Sequence, residues 1–188
     1  MNEEDLRVQR TRRLLKEALV DLVVERGYEP VTIRDITKEA QVGYKTFFRH
    51  YESKEALLRT ILDDFLEEFK ATRLPPTAPN APQQNTLAVV KFTEAHADLF
   101  RMLIRSPASD LLQAPFVEFG RKDLLQFAGG SGIPDELMAY YFAASMDALL
   151  RWWVVNDMPY PAEEMAGYIN QLLMRVFGGD WHKEVASL

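Results

Sequence analysis

The stretch from Thr32 to Lys54 leaves the chain the least conformational freedom. It reads Thr-Ile-Arg-Asp-Ile-Thr-Lys-Glu-Ala-Gln-Val-Gly-Tyr-Lys-Thr-Phe-Phe-Arg-His-Tyr-Glu-Ser-Lys. Thr32 is suited to cap a helix: its hydroxyl can accept from the free amide of Asp35, and Asp35 is favoured in the first turn. The spacing predicts a short helix over 33–40, with Ile36 and Ala40 as its apolar side and Ile33 stapling the start. Gln41-Val42-Gly43 breaks the pattern, and a second short helix runs from about Tyr44 to His50. Two short helices joined by a tight turn make a helix-turn-helix. Ala40 is small, as a close helix crossing requires, and Val42 and Phe47 can plug the angle. The second helix is left projecting, and a helix fits the DNA major groove.

The flanking sequence is helical in pattern. Leu14, Leu15, Ala18, Leu19, Leu22 and Val23 recur at three- and four-residue spacing. That helix should close at Gly27, where glycine can take the left-handed conformation. Ser53 caps a longer helix near 54–72, with Leu57, Leu58, Ile61, Leu62, Phe65, Leu66 and Phe69 on its buried side. The prolines at 75, 76, 79 and 82 predict a loop. Helical patterns resume near 84–105, 108–128, 134–157 and 161–178, with Pro134 and Pro161 placed for first turns. No segment alternates as a strand does. The expected fold is all-α: a three-helix DNA-binding module over 8–68, with the helix-turn-helix proper at about 32–51, and a larger helical domain over 69–188.

The net charge of −6 at first argues against a nucleic-acid partner, but its distribution does not. Residues 1–60 hold 12 Lys+Arg and 11 Asp+Glu, whereas the remainder holds 10 and 17. Within the first module the basic groups gather at Arg7, Arg10, Arg12 and Arg13, and again at Lys45, Arg49 and Lys54. DNA responds to the local field rather than the chain total. The absence of cysteine excludes disulfides and thiolate chemistry. The acidic start is unlike a signal peptide, and no apolar run is long enough to span a bilayer. A soluble cytoplasmic protein without membrane association is expected.

On the projecting helix, Tyr44, Lys45, Thr46, Phe48 and Arg49 cannot all face the core. Lysine and arginine reach phosphates or guanine edges; threonine and tyrosine bond phosphates and touch thymine methyls. Phe47 is the best core candidate, so a neighbouring aromatic must point outward. Thr32 and Lys54 sit at helix amino-termini, which favour phosphate. The three histidines, His50, His96 and His182, lack metal-ligand spacing, and His50 reads as a helix-end residue contacting a phosphate or the chain itself. The acidic pairs Asp63-Asp64 and Glu67-Glu68 read as a solvated helix face. No nucleophile–base arrangement or glycine-rich phosphate loop is visible, so no enzyme, cofactor or metal is expected.

From Arg10 to Leu66 the chain resembles the TetR family of bacterial transcription regulators. The likeness is carried by Leu15, Ala18, Leu22 and Val23; Glu25-Arg26-Gly27-Tyr28; Thr32, Ile36, Ala40 and Val42; Thr46-Phe47-Phe48; His50-Tyr51; and Ser53 through Leu58. Gln41 stands where the family usually has glycine, which implies a left-handed residue at some cost. Phe48 replaces the usual tyrosine, removing a hydroxyl the family uses on phosphate, and Tyr51 replaces the usual phenylalanine. With the residue chemistry, the resemblance implies a DNA-contacting set of Thr32, Arg34, Gly43, Tyr44, Lys45, Thr46, Phe48, Arg49, His50, Tyr51 and Lys54.

The later sequence is similar only loosely, through Arg151-Trp152-Trp153, Asn156 to Tyr160 and Glu163-Glu164-Met165. That similarity implies a homodimer through the helices near 134–157 and 161–178. Phe92, Phe100, Met102, Phe116, Phe119, Met138, Phe142 and Met146 are candidate liners of a pocket for a small apolar or aromatic effector. Arg101, Arg105 and Arg151 are the nearby cations. The leading expectation is a ligand-responsive repressor binding a near-palindromic operator on double-stranded DNA. The alternative is a protein of the same fold acting as a co-activator or ligand carrier through protein contacts.

Overall fold

A computed structural model describes residues 3–75, 81–107, 109, 118 and 134–177. Among them are eight helices and no strand: α1 Glu3–Arg26, α2 Ile33–Glu39, α3 Tyr44–Phe47, α4 Lys54–Ala71, α5 Ala81–Ala95, α6 Ala97–Ile104, α7 Asp135–Val155 and α8 Ala162–Phe177. The helix expected over 108–128 lies outside the described residues, apart from Ser109 and Glu118. Two compact units emerge. One is Met1–Glu68 with Ala97–Asp110; the other is Phe69–His96 with Leu111–Leu188. The helix expected over 84–105 is therefore two helices, parted at His96, where the chain passes from the second unit into the first.

In the first unit α1 buries Leu15, Ala18, Leu19, Leu22 and Val23, one stripe at helical spacing. Each large apolar side chain buried this way contributes about 1.5–3 kcal/mol. The helix begins eleven residues before its first apolar anchor, Leu14, because good helix formers fill its start. It stops at Gly27, whose φ of +81° closes the last turn, its amide donating to the Val23 carbonyl at 2.9 Å. α6 packs against α1 and buries Phe100, Met102 and Leu103. The Phe100 ring lies 6.3 Å from that of Phe65 on α4, and the Arg105 guanidinium donates to the Val24 carbonyl at 2.7 Å. Lys16 of α1 pairs with Asp64 of α4.

In the second unit α5 packs on α8, and α7 touches both. α7 buries Met138, Ala143, Met146, Leu150, Trp153 and Val154; α8 buries Met165, Ala166, Ile169 and Leu173. The Trp153 indole, fully buried, donates to the Tyr160 carbonyl at 2.9 Å, so its single polar group is satisfied. Buried Asn85 brackets the backbone of Leu74, accepting from its amide at 2.8 Å and donating to its carbonyl at 3.2 Å. Pro134 and Pro161 sit one position before their helices, where each carbonyl accepts the first helical bond.

Candidate nucleic-acid interface

Thr32 caps α2 as its sequence context predicts. Its hydroxyl accepts from the Asp35 amide at 3.2 Å, and the Asp35 carboxylate accepts from the Thr32 amide at 2.9 Å and hydroxyl at 2.6 Å. These bonds, with Arg26 nearby, hold the Asp35 carboxyl below its usual range, the bonds from Thr32 being the main cause. The reciprocal box fixes where α2 starts, and so the angle at which it leads into the turn.

The turn is made by Ala40 and Gln41. The Val42 amide donates to the Thr37 carbonyl at 2.9 Å, and Gln41 stands at φ +53°, the left-handed state implied by its place in the family pattern. A side chain in that region costs about 1–2 kcal/mol relative to ordinary helix geometry. Gly43 caps α3 with an ordinary φ of −62°; a Cβ there would meet the Thr46 hydroxyl at 3.3 Å. α3 proper is four residues, shorter than the run to His50 expected from sequence. Tighter turns continue it, with the His50 and Tyr51 amides both donating to the Phe47 carbonyl at 2.9 Å.

Phe47 is fully buried and anchors this segment, while Tyr44 and Phe48 are 48% and 47% exposed. Their rings meet edge-on at 5.3 Å, and the Arg34 guanidinium of α2 lies 6.0 Å from the Tyr44 ring. Lys45 and Arg49 are exposed and Thr46 is half-buried. One outward surface thus carries Arg34, Tyr44, Lys45, Phe48 and Arg49. His50 at its far end is half-buried, and burial, then Arg12 and Arg49, push its pKa below the usual histidine value.

Two candidates turn their side chains inward. Tyr51 is buried among Phe47 and His50, its hydroxyl without a protein partner, and burial raises its pKa. Its side chain is core because the turn after α3 folds it back beneath Phe47. The Lys54 ammonium is likewise committed inward. It donates to the carbonyls of Tyr28 and Val31 at 2.9 Å each and lies 3.9 Å from the Tyr28 ring centre. Lys54 closes the α1–α2 connection instead of offering a free cation to phosphate. Sequence reasoning missed this clamp because its partners are backbone carbonyls more than twenty positions away.

The described candidate effector residues are divided between the two units. Phe100 and Met102 fill the core of the first unit. Phe92, Met138 and Met146 are buried, and Phe142 half-buried, in the second. Phe116 and Phe119 lie outside the described residues.

Residues 15–61, which include this capped, turned and clamped motif, match the family described as bacterial regulatory proteins, tetR family. Over those residues the chain is similar to the TetR family. A segment of 59 residues is 42% identical to the HTH-type transcriptional regulator YxbF of Bacillus subtilis (strain 168), covering 31% of this chain and 16% of that protein. The HTH-type transcriptional repressor KstR2 of Mycolicibacterium smegmatis is 27% identical over 184 aligned residues, with 88% of each chain covered. The matches to three curated HTH-type regulators span only 16–31% of those proteins' lengths. A TetR transcriptional regulator from Streptococcus agalactiae 2603V shares the fold at TM-score 0.68 and 22% identity, covering 90% of this chain and 97% of its own. No described helix is long and apolar enough to cross a membrane.

Proposed function

We propose that this protein is a sequence-specific DNA-binding regulator of transcription, acting as a homodimeric repressor that a small apolar or aromatic effector releases. The observation that carries the reading is the outward surface of α3. Buried Phe47 holds the segment, so Lys45, Arg49, Tyr44 and Phe48 are presented together with Arg34. That is the mixture a major-groove reader needs: guanidinium and ammonium for guanine edges and phosphates, aromatic edges for thymine methyls. The first unit, α6 included, serves DNA contact, and the second serves regulation.

Dimerisation is supported by a run of exposed apolar side chains. Leu137, Tyr140, Tyr141, Trp152 and Val155 recur along one side of α7 at 45–65% exposure, and Tyr168 and Leu172 follow on α8. Such a stripe is rare on a solitary soluble chain, and isologous pairing buries it twice. Two copies of α3 then enter successive major grooves about 34–36 Å apart, which requires a near-palindromic site. The effector reading rests on the Phe92, Met138, Phe142 and Met146 group of the second unit, with an expected coupling of about 1–3 kcal/mol.

The test is a gel shift with duplexes from the DNA flanking the protein's own coding region, alongside sedimentation at micromolar concentration. The expected result is a retarded complex that survives a scrambled competitor, with a protein mass of two chains. Equal affinity for scrambled DNA, or a single-chain mass, overturns the corresponding part.

A further inference from the structure

The cluster Arg7, Arg10, Arg12 and Arg13 lies outside the matched residues 15–61, and the surface of α3 does not account for it. α1 turns these residues onto different sides. Arg7, Arg10, Thr11 and Leu14 follow the i, i+3, i+4, i+7 spacing of one helical stripe. That stripe forms one wall of a groove of about 660 Å³ whose other wall is the α2–α3 turn, Glu39 to Val42. The Arg7 and Arg10 side chains stand exposed at this groove, which Glu39 also lines. The turn leads through Gly43 directly into α3. On the other side, Arg12 acts electrostatically on His50 and Tyr51, just past the end of α3. Arginines of α1 therefore bracket the exposed surface at its entry and its exit. Arg13 is diverted toward Glu17, 3.8 Å away.

We infer that Arg7 and Arg10 form a second DNA contact, a phosphodiester-binding groove that grips the duplex backbone beside the turn while α3 reads the bases. The inference rests on the DNA-binding reading above. Guanidinium pairs suit phosphate because their planar donors match two oxygens at once. A groove open to solvent, walled by an arginine stripe and a backbone turn, admits a passing phosphate strand and offers no base-edge readout. The contact therefore adds affinity and orientation, and leaves sequence preference to α3.

The experiment compares wild type with the double variant R7Q/R10Q, the charge-keeping R7K/R10K and Lys45→Ala. Binding is measured against salt on a duplex selected by the wild-type protein from a random pool and on a scrambled duplex of equal length. For R7Q/R10Q the expected salt slope is shallower by about 2 per protomer, since each phosphate contact contributes about 0.9. Both duplexes weaken by the same factor, so discrimination is unchanged. R7K/R10K keeps the wild-type slope, and its thermal melt and that of R7Q/R10Q match wild type. An unchanged slope in R7Q/R10Q overturns the inference, leaving solvated arginines only. Loss of discrimination with the slope intact also overturns it. If wild type itself prefers no sequence, the proposed function fails; the slope on scrambled DNA still decides the role of Arg7 and Arg10.

Discussion

The ammonium of Lys54 lies 3.9 Å from the ring centre of Tyr28 and donates to the Tyr28 carbonyl at 2.9 Å. The first residue of α4 thereby holds the last turn before α2. A second bond from the same ammonium reaches the Val31 carbonyl at 2.9 Å, and the Tyr28 hydroxyl donates to Glu55 at 3.3 Å. The Tyr28 hydroxyl is held well above its ordinary pKa, first by burial and then by the charge of Glu55, so it stays a donor. Through this clamp the entry to the helix-turn-helix is tied to the helix that leaves it.

Replacing Lys54 with methionine keeps the stem and removes the donors. Two part-buried carbonyls then lose their partner, and unfolding in urea should show a loss of about 1–3 kcal/mol. The salt slope of DNA binding should hardly change, because the ammonium is spent within the protein. A full unit of lost slope at unchanged stability would return Lys54 to the DNA interface.

Gly27 and Gln41 both occupy left-handed backbone, at φ +81° and +53°. Nothing crowds a Cβ at Gly27, so Gly27→Ala isolates the backbone cost and should destabilise by about 1 kcal/mol. Gln41→Gly works in the opposite sense. It relieves a cost of about 1–2 kcal/mol and loses about 0.5–1 kcal/mol to the freer unfolded chain. Its denaturation midpoint should rise slightly, and a clear fall would mean that the Gln41 side chain holds the turn in some other way.

Neighbouring positions on α3 should separate binding from folding. Phe47→Ala empties a fully buried site and should cost about 3–5 kcal/mol of stability. Lys45→Ala should leave the melt alone and weaken specific DNA by about 1–3 kcal/mol per lost base contact. Paired melting and binding curves check both, and an unchanged operator affinity would remove Lys45 from the interface.

His50 has a folded pKa below its ordinary value, through burial and the like charges of Arg12 and Arg49. The folded state therefore holds fewer protons than the unfolded chain in the acid range. Its contribution to stability is present above the unfolded pKa of about 6.5 and is lost as pH falls through the depressed folded value. Unfolding free energies measured from about pH 7 to about pH 5 should show a steeper acid loss in wild type than in His50→Asn. Parallel curves would mean that His50 titrates as freely in the folded state as in the unfolded one.

Local signals in the sequence already determined much of the first unit. Thr32 with Asp35, Gly27, Gln41 and the alternation around Phe47 each act within a few residues. A cap, a left-handed residue or a helical stripe depends on neighbours that the sequence places side by side. What depends on distant partners was decided only by the tertiary structure. Tyr51 turned inward beneath Phe47, and Lys54 turned to carbonyls 23 and 26 positions away. α6 left its expected place in the second domain to bury Phe100 and Met102 with the first unit. Periodicity tells which face of α6 is apolar but not which helix will cover it. Pairing of faces is set by the global balance of burial against chain entropy, and the same apolar stripe satisfies many partners until the whole chain has chosen.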